Sequence, residues 1–270
     1  MEIITDDPTC DAWTTVLNEY SKVTKSNRWD DRDSSVPESA WTADQRAMYK
    51  SVGSAMTRAA DQAANLMTKT PHRVMRVLYE QFVAYTREFV DRIPSYTAAD
   101  HQLSAASNAA GAGIANICGA ISLRSAQAVA PLVPPVEGPT VDVVDRAEPT
   151  KLLVEPNAVC GEWDSFVSKF NDDTATWRAI DKDIPATEWT PDQRAINESA
   201  AQIMSASADE MVRLGRESQN PELEDIITLA AQYRRGFVIA LPNYTSSDSY
   251  LELSATSLIR LVNAACKDSS

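Results

Sequence analysis

Trp41-Thr42-Ala43-Asp44-Gln45-Arg46-Ala47 returns from position 189 as Trp189-Thr190-Pro191-Asp192-Gln193-Arg194-Ala195. A period this long marks a repeated structural unit. The offset between these copies, 189 minus 41 or 148 positions, also carries Trp29 to Trp177, Val36-Pro37 to Ile184-Pro185, and Tyr85 to Tyr233. It continues through Arg87 and Arg235, Phe89 and Phe237, and Pro94-Ser95-Tyr96-Thr97 and Pro242-Asn243-Tyr244-Thr245. Asp100 then maps to Asp248 and Cys118 to Cys266. Nearer the start the offset becomes 150, pairing Cys10 with Cys160 and Trp13 with Trp163. The first loop of the second half is therefore two residues shorter.

Each half reads as four helices. The first begins at the cysteine and carries Trp13, Val16, Leu17 and Tyr20, or Trp163, Phe166, Val167 and Phe170, at helical spacing. Thr42 with Gln45, and Thr190 with Gln193, have the spacing of a capping box, and Pro191 falls where a first helical turn accepts proline. These residues predict the start of helix two. Its apolar stripe runs through Met48, Val52, Met56 and Leu66, matched by Ile196, Ala200, Met204 and Leu214. Helix three is expected from about Pro71 or Pro221 to the residue before Pro94 or Pro242. Helix four is expected from Thr97 or Thr245, with Asp100 or Asp248 closing another cap. The fold class is therefore all-α: a tandem repeat of two four-helix bundle domains. The expected boundaries are 1–127 and 158–270, joined by 128–157, which holds six of the fourteen prolines and reads as a semi-extended linker without a core of its own.

Four cysteines allow three pairings. The repeat selects Cys10–Cys118 and Cys160–Cys266, since each half then closes on itself. Loops of that size stabilise a domain by roughly 4–5 kcal/mol on the chain-entropy model. Four free thiols are the competing reading. Metal binding has less support, with no CxxC spacing and two histidines, so neither a metal nor a cofactor is expected. Persisting disulfides imply an extracytoplasmic compartment, periplasm or cell surface. The sequence contains no apolar run of about 18 residues to span a bilayer, and Met1–Pro8 lack the pattern of a signal peptide. An export signal or anchor is accordingly expected outside these residues.

The net charge of −13 argues against nucleic acid, because no positive field is present to replace phosphate counterions. The charge is also uneven. Residues 1–127 are near neutral at −2, whereas residues 158–270 carry −8, so the two surfaces should meet different partners.

Most shared polar residues have structural readings. Thr42, Gln45, Thr97 and Asp100 are caps, and Trp13, Trp29 and Trp41 read as core and loop anchors before a carbohydrate-stacking face. Arg87 and Arg235 suit the negative end of a helix or a local ion pair. The run Ser104–Gly113, nearly all small residues, suits close helix packing, with room for a ligand as the competing reading. His72 and His101 have no counterpart in the second half, and no phosphate loop or nucleophile elbow is present. No enzyme is expected. Lys69, His72, Arg73 and Arg76 place cations at the start of helix three, where the dipole already favours anions. They are a candidate surface for an acidic ligand or partner, weighed against an ordinary solvated basic patch.

The series Trp189-Thr190-Pro191-Asp192-Gln193-Arg194, Ala231-Gln232-Tyr233-Arg234-Arg235 and Leu241-Pro242-Asn243-Tyr244-Thr245, ending in Cys266, resembles exported or membrane-anchored proteins of mycobacteria and related actinobacteria. The likeness spans both halves and is best in the second; Lys69–Arg76 depart from it. It implies a cell-envelope location and a duplicated, disulfide-closed helical architecture. The expected function is a non-enzymatic extracytoplasmic domain pair, an adaptor or sensor ectodomain whose partner is another envelope protein. The alternative is a small-molecule or lipid-binding module, with its ligand inside a bundle or between the two domains.

Overall fold

The computed structural model describes residues 1–139 and 148–270; the middle of the expected linker lies outside them. Among the described residues the chain is all-helical, without strands. The first half supplies α1 (Cys10–Ser26), α2 (Ala43–Met67), α3 (Arg73–Arg92) and α4 (His101–Ser122), followed by the short α5 (Ser125–Val129). The second half runs through the corresponding α6 (Cys160–Asp173), α7 (Pro191–Glu217), α8 (Pro221–Ala240) and α9 (Ser249–Asp268).

The starts of α2 and α7 follow from local chemistry. Thr42 Oγ1 accepts from the Gln45 N–H at 3.2 Å, while the Gln45 side chain accepts from the Thr42 N–H at 2.8 Å. Thr190 and Gln193 repeat both bonds at 3.2 and 3.0 Å. Two otherwise orphaned amides are thus satisfied at each N-terminus. Helix four starts later than expected. A single 3-10 turn follows Thr97 and Thr245, and the α-helix proper begins at His101 and Ser249. The Asp100 and Asp248 carboxylates still close the caps, each accepting from the threonine three residues earlier.

α3 and α8 differ at their first turns. Asn220 caps α8 by accepting from Glu222 and Leu223, and Pro221 is its first residue. α3 has neither device and begins two residues after Pro71, at Arg73.

Both disulfides form as the repeat requires. Cys10 bonds Cys118 and Cys160 bonds Cys266, joining the start of α1 to the end of α4 and the start of α6 to the end of α9. Arg87 and Arg235 make local ion pairs with Asp61 and Asp209, each reaching from the third helix of its half to the second.

The halves are tied through α4 and α9, the most extensive helix contact in the molecule. The small residues of α4 make this approach possible. A Cβ added at Gly113 would meet Leu258 at 3.3 Å, and one at Gly119 would overlap the Tyr250 ring. Asn116 donates to Ser257 and to the Leu253 carbonyl across the seam. Within the stripe Ser104–Gly113, Gly111 packs against Phe82 and Trp13 inside the first half, while Ala105, Asn108, Ala109 and Ala112 border an open hollow shared with α9.

Each half also lends an extended segment to the other. Residues before α1 lie along α8: the Tyr233 hydroxyl donates to the Ile4 carbonyl and Gln232 to the Met1 carbonyl. Residues before α6 lie along α3, where Gln81 donates to the Thr150 carbonyl and Lys151 pairs with Glu88. Ile3, Ile4, Val129, Val133, Leu152 and Leu153 are all buried. The ends of the proline-rich joining segment therefore add to the core, which its composition does not reveal.

Candidate functional site

The four cations at the start of α3 do not form one open patch. Arg73 Nε donates to Asp225 Oδ2 of the second half at 2.6 Å, and that carboxylate is 1% exposed. Burial raises the Asp225 pKa while Arg73 lowers it, with a net upward direction. Arg76 donates to the carbonyls of Thr70 and Pro71. The His72 ring hydrogen-bonds the Asp6 carbonyl at 2.7 Å, and Lys69 is exposed. Three of the four side chains thus hold this end of α3 to the N-terminal segment, to the turn that precedes the helix and to α8.

A cavity of about 270 Å³ opens elsewhere, in the loop region between α6 and α7. Its walls are aromatic. Trp177 meets Phe237 edge-on at 5.8 Å, Phe237 meets Tyr244 at 5.9 Å, and Tyr244 stacks on Trp189 at 5.8 Å. Backbone bonds hold this frame: the Trp189 indole donates to the Ile184 carbonyl at 3.0 Å and the Tyr244 hydroxyl to the Lys182 carbonyl at 2.6 Å. Burial pushes the Tyr244 pKa up to about 12, so this hydroxyl stays protonated and donates at neutral pH.

The same frame stands in the first half. Trp29–Phe89, Phe89–Tyr96 and Trp41–Tyr96 lie at 6.1, 6.0 and 5.5 Å. Trp41 donates to the Val36 carbonyl and Tyr96 to the Ser34 carbonyl at 2.9 and 2.7 Å. There, however, the centre is full. The Tyr49 ring stacks on Trp41 at 3.7 Å and meets Trp29 edge-on at 4.9 Å. The residue at the corresponding turn of α7 is Asn197. Its carbonyl accepts from the Trp177 indole at 3.0 Å and its amide donates to the Gln193 carbonyl at 2.9 Å. The shorter side chain satisfies the indole but leaves the ring's volume empty.

Charge is rearranged around the same place. In the first half the Arg32 guanidinium lies 3.7 Å from the Trp29 ring centre and reaches Ser104. Burial and Arg32 both lower the His101 pKa there. In the second half Ile180 replaces Arg32, Ser249 replaces His101, and a buried Arg234–Glu252 pair at 3.0 Å takes over. Arg234 also covers the Phe170 ring at 3.9 Å and donates to Ser207. A second hollow, bordered by Phe170, Arg234 and Ile259, shares Trp177, Arg178, Glu252 and Thr256 with the first.

Sequence reasoning had placed Trp29 and Trp41 as anchors, and both are buried. Trp177 and Trp189 are only half-buried. The available signal was the exchange of Tyr49 for Asn197 between two otherwise matching tryptophans. Among the described residues, no cluster of three or more His, Cys, Asp or Glu is arranged for a metal. No described helix is long and apolar enough to cross a membrane.

These features define an all-helical, disulfide-closed protein whose second half carries an aromatic-walled cavity. The chain belongs to the family described as mycobacterial ESX-1 associated protein, whose model matches residues 1–270. It is similar to an uncharacterized protein of Mycolicibacterium smegmatis (strain MKD8), with 41% identity over 269 residues, which is 99% of this chain and 71% of that protein. No solved structure matches it.

Proposed function

We infer that this chain is a non-enzymatic extracytoplasmic component associated with the ESX-1 secretion system, working through protein–protein contacts. Its role is that of an adaptor or sensor ectodomain, held in the envelope by an anchor outside these residues. The match of the family over the whole chain carries this reading, and the two disulfides support the compartment. The architecture behind it is a tandem duplication of two four-helix bundles, 1–127 and 158–270, joined by 128–157. The matched caps and aromatic frames support that descent, while the unequal charges of the two halves give them separate surfaces. Partners are other proteins of the secretion system. Lys69, exposed beside the tethered His72, Arg73 and Arg76, offers an acidic partner a first contact.

Photocrosslinkers placed at Lys69 in the first half and at the exposed Arg216, in the last turn of α7, in the second, in living mycobacteria, test the role. Adducts with secretion-system proteins are expected; adducts confined to unrelated proteins would sink it. A membrane-impermeant maleimide, applied to intact cells after mild reduction, tests the address. Labelling of the four cysteines only after lysis would place the chain inside the cell.

A further inference from the structure

We propose that the cavity bounded by Trp177, Trp189, Phe237 and Tyr244 is a binding site for a neutral, planar ring of phenol size. This inference is independent of the association with secretion. The protein itself supplies the description of the ligand. Within an equivalent frame the first half holds the Tyr49 phenol, stacked at 3.7 Å and 22° on Trp41 and edge-on at 75° to Trp29. Edge-to-face and offset-stacked contacts of this kind suit an aromatic quadrupole and add to its area burial. The second half keeps the surrounding rings, with the same hydrogen bonds holding two of them in place, and puts the shorter Asn197 where the occupant stood.

The space is sufficient. About 270 Å³ is open, whereas a cavity of roughly 150 Å³ accepts benzene. It is also reachable, because Trp177 and Trp189 are partly exposed where their counterparts are buried, and Leu253 forms an apolar rim. The polar groups at its edge are already committed. Asn197 serves Trp177 and Gln193, Glu252 serves Arg234 and Thr256, and Lys182 pairs with Asp183. Arg178 and Asp181 border the cavity too, Arg178 donating to the Asn171 side chain and carbonyl and Asp181 accepting from the Asp183 N–H. Stacking and apolar burial against the four rings therefore carry recognition, which favours an uncharged ring. The guanidinium that lies over Trp29 in the first half has no counterpart over Trp177, because Ile180 stands at that position and Arg234 lies over Phe170 instead.

The test uses p-cresol, the side chain of tyrosine as a free molecule, with the full chain and both disulfides intact. A saturable shift of the Trp177 and Trp189 indole resonances is expected, with those of Trp29 and Trp41 unmoved. Asn197→Tyr, which copies the first half, is expected to weaken p-cresol at least ten-fold. No saturable shift, equal shifts at all four indoles, or undiminished binding by a folded N197Y protein would each overturn the proposal. If N197Y does not fold, the map of shifted indoles in the unaltered protein decides the matter. 4-Methylcyclohexanol, of similar size but not planar, should bind several-fold more weakly; equal binding would refute selection for a flat ring. N-acetyltyrosinamide separates the sources. Its binding alongside p-cresol identifies a tyrosine side chain of a partner as the natural occupant, and its exclusion while p-cresol binds identifies a free small molecule.

Discussion

Tyr49 and Asn197 occupy the same turn of the same helix in two halves of one chain, and they lead to opposite outcomes. Around Tyr49, five aromatic rings including its own fill the space between α2, α3 and the connecting loop, and the tryptophans at its sides are buried. Around Asn197 the other four rings keep their spacing to within half an ångström of their counterparts, yet the centre is open. A frame this well kept without its occupant does not depend on that occupant for its shape. Hydrogen bonds from Trp189 and Tyr244 to backbone carbonyls maintain it. The first half uses the frame as core, and the second leaves it available.

The largest expected effect comes from emptying the first centre. Tyr49→Ala should destabilise the protein by about 3–5 kcal/mol, the usual cost of deleting a buried aromatic ring and leaving its cavity. Asn197→Ala should cost less, about 1–3 kcal/mol, since it removes two hydrogen bonds and takes the acceptor from the Trp177 indole. Urea denaturation of both variants measures the contrast, and equal losses would break it.

The buried ion pair gives the next effect. Glu252→Gln leaves Arg234, 1% exposed, without its counter-charge and should cost about 3 kcal/mol. Replacing both, as Arg234→Met with Glu252→Leu, should restore most of that loss. A double-mutant cycle reads the difference. The same cycle at Thr86 and Ser104, the counterparts in the first half, should show little coupling.

A smaller change probes the seam. A Cβ at Gly119 would fall within 2.5 Å of the Tyr250 ring, so Gly119→Ala must move that ring and should cost about 1–3 kcal/mol through overpacking. Chemical-shift changes should appear on both α4 and α9. Changes confined to α4 would show that Tyr250 does not pack against Gly119.

The smallest effect is a titration. His101, partly buried beside Arg32, should titrate by NMR below the ordinary imidazole value, since both burial and Arg32 disfavour its charge. A depressed folded-state pKa adds stability above the ordinary value and loses it as pH falls through the folded one. Acidification should therefore weaken the first half slightly, and His101→Ser, copying the second half, should remove that dependence.

Much of the helical plan was legible because its signals are local. A cap is decided by groups within about four residues of one another, so Thr42 with Gln45 and Thr190 with Gln193 could be read directly. The cysteine pairing followed from symmetry between the halves. The cavity was harder to see, because matching the halves draws attention to what they share, and the site lies where one large residue became small. The basic run at Lys69–Arg76 was visible as charge, but its partner Asp225 is 152 positions away.

The sequence by itself determined the main helices, their caps and the two bridges. Those depend on short-range hydrogen bonding, on the period of apolar residues and on comparison of one half with the other. Only the tertiary structure decided that α4 lies against α9, that each half holds the other's leading segment, and that four rings surround a space in place of a fifth. Those outcomes rest on how volumes from distant positions meet. An empty volume has no residue of its own to announce it.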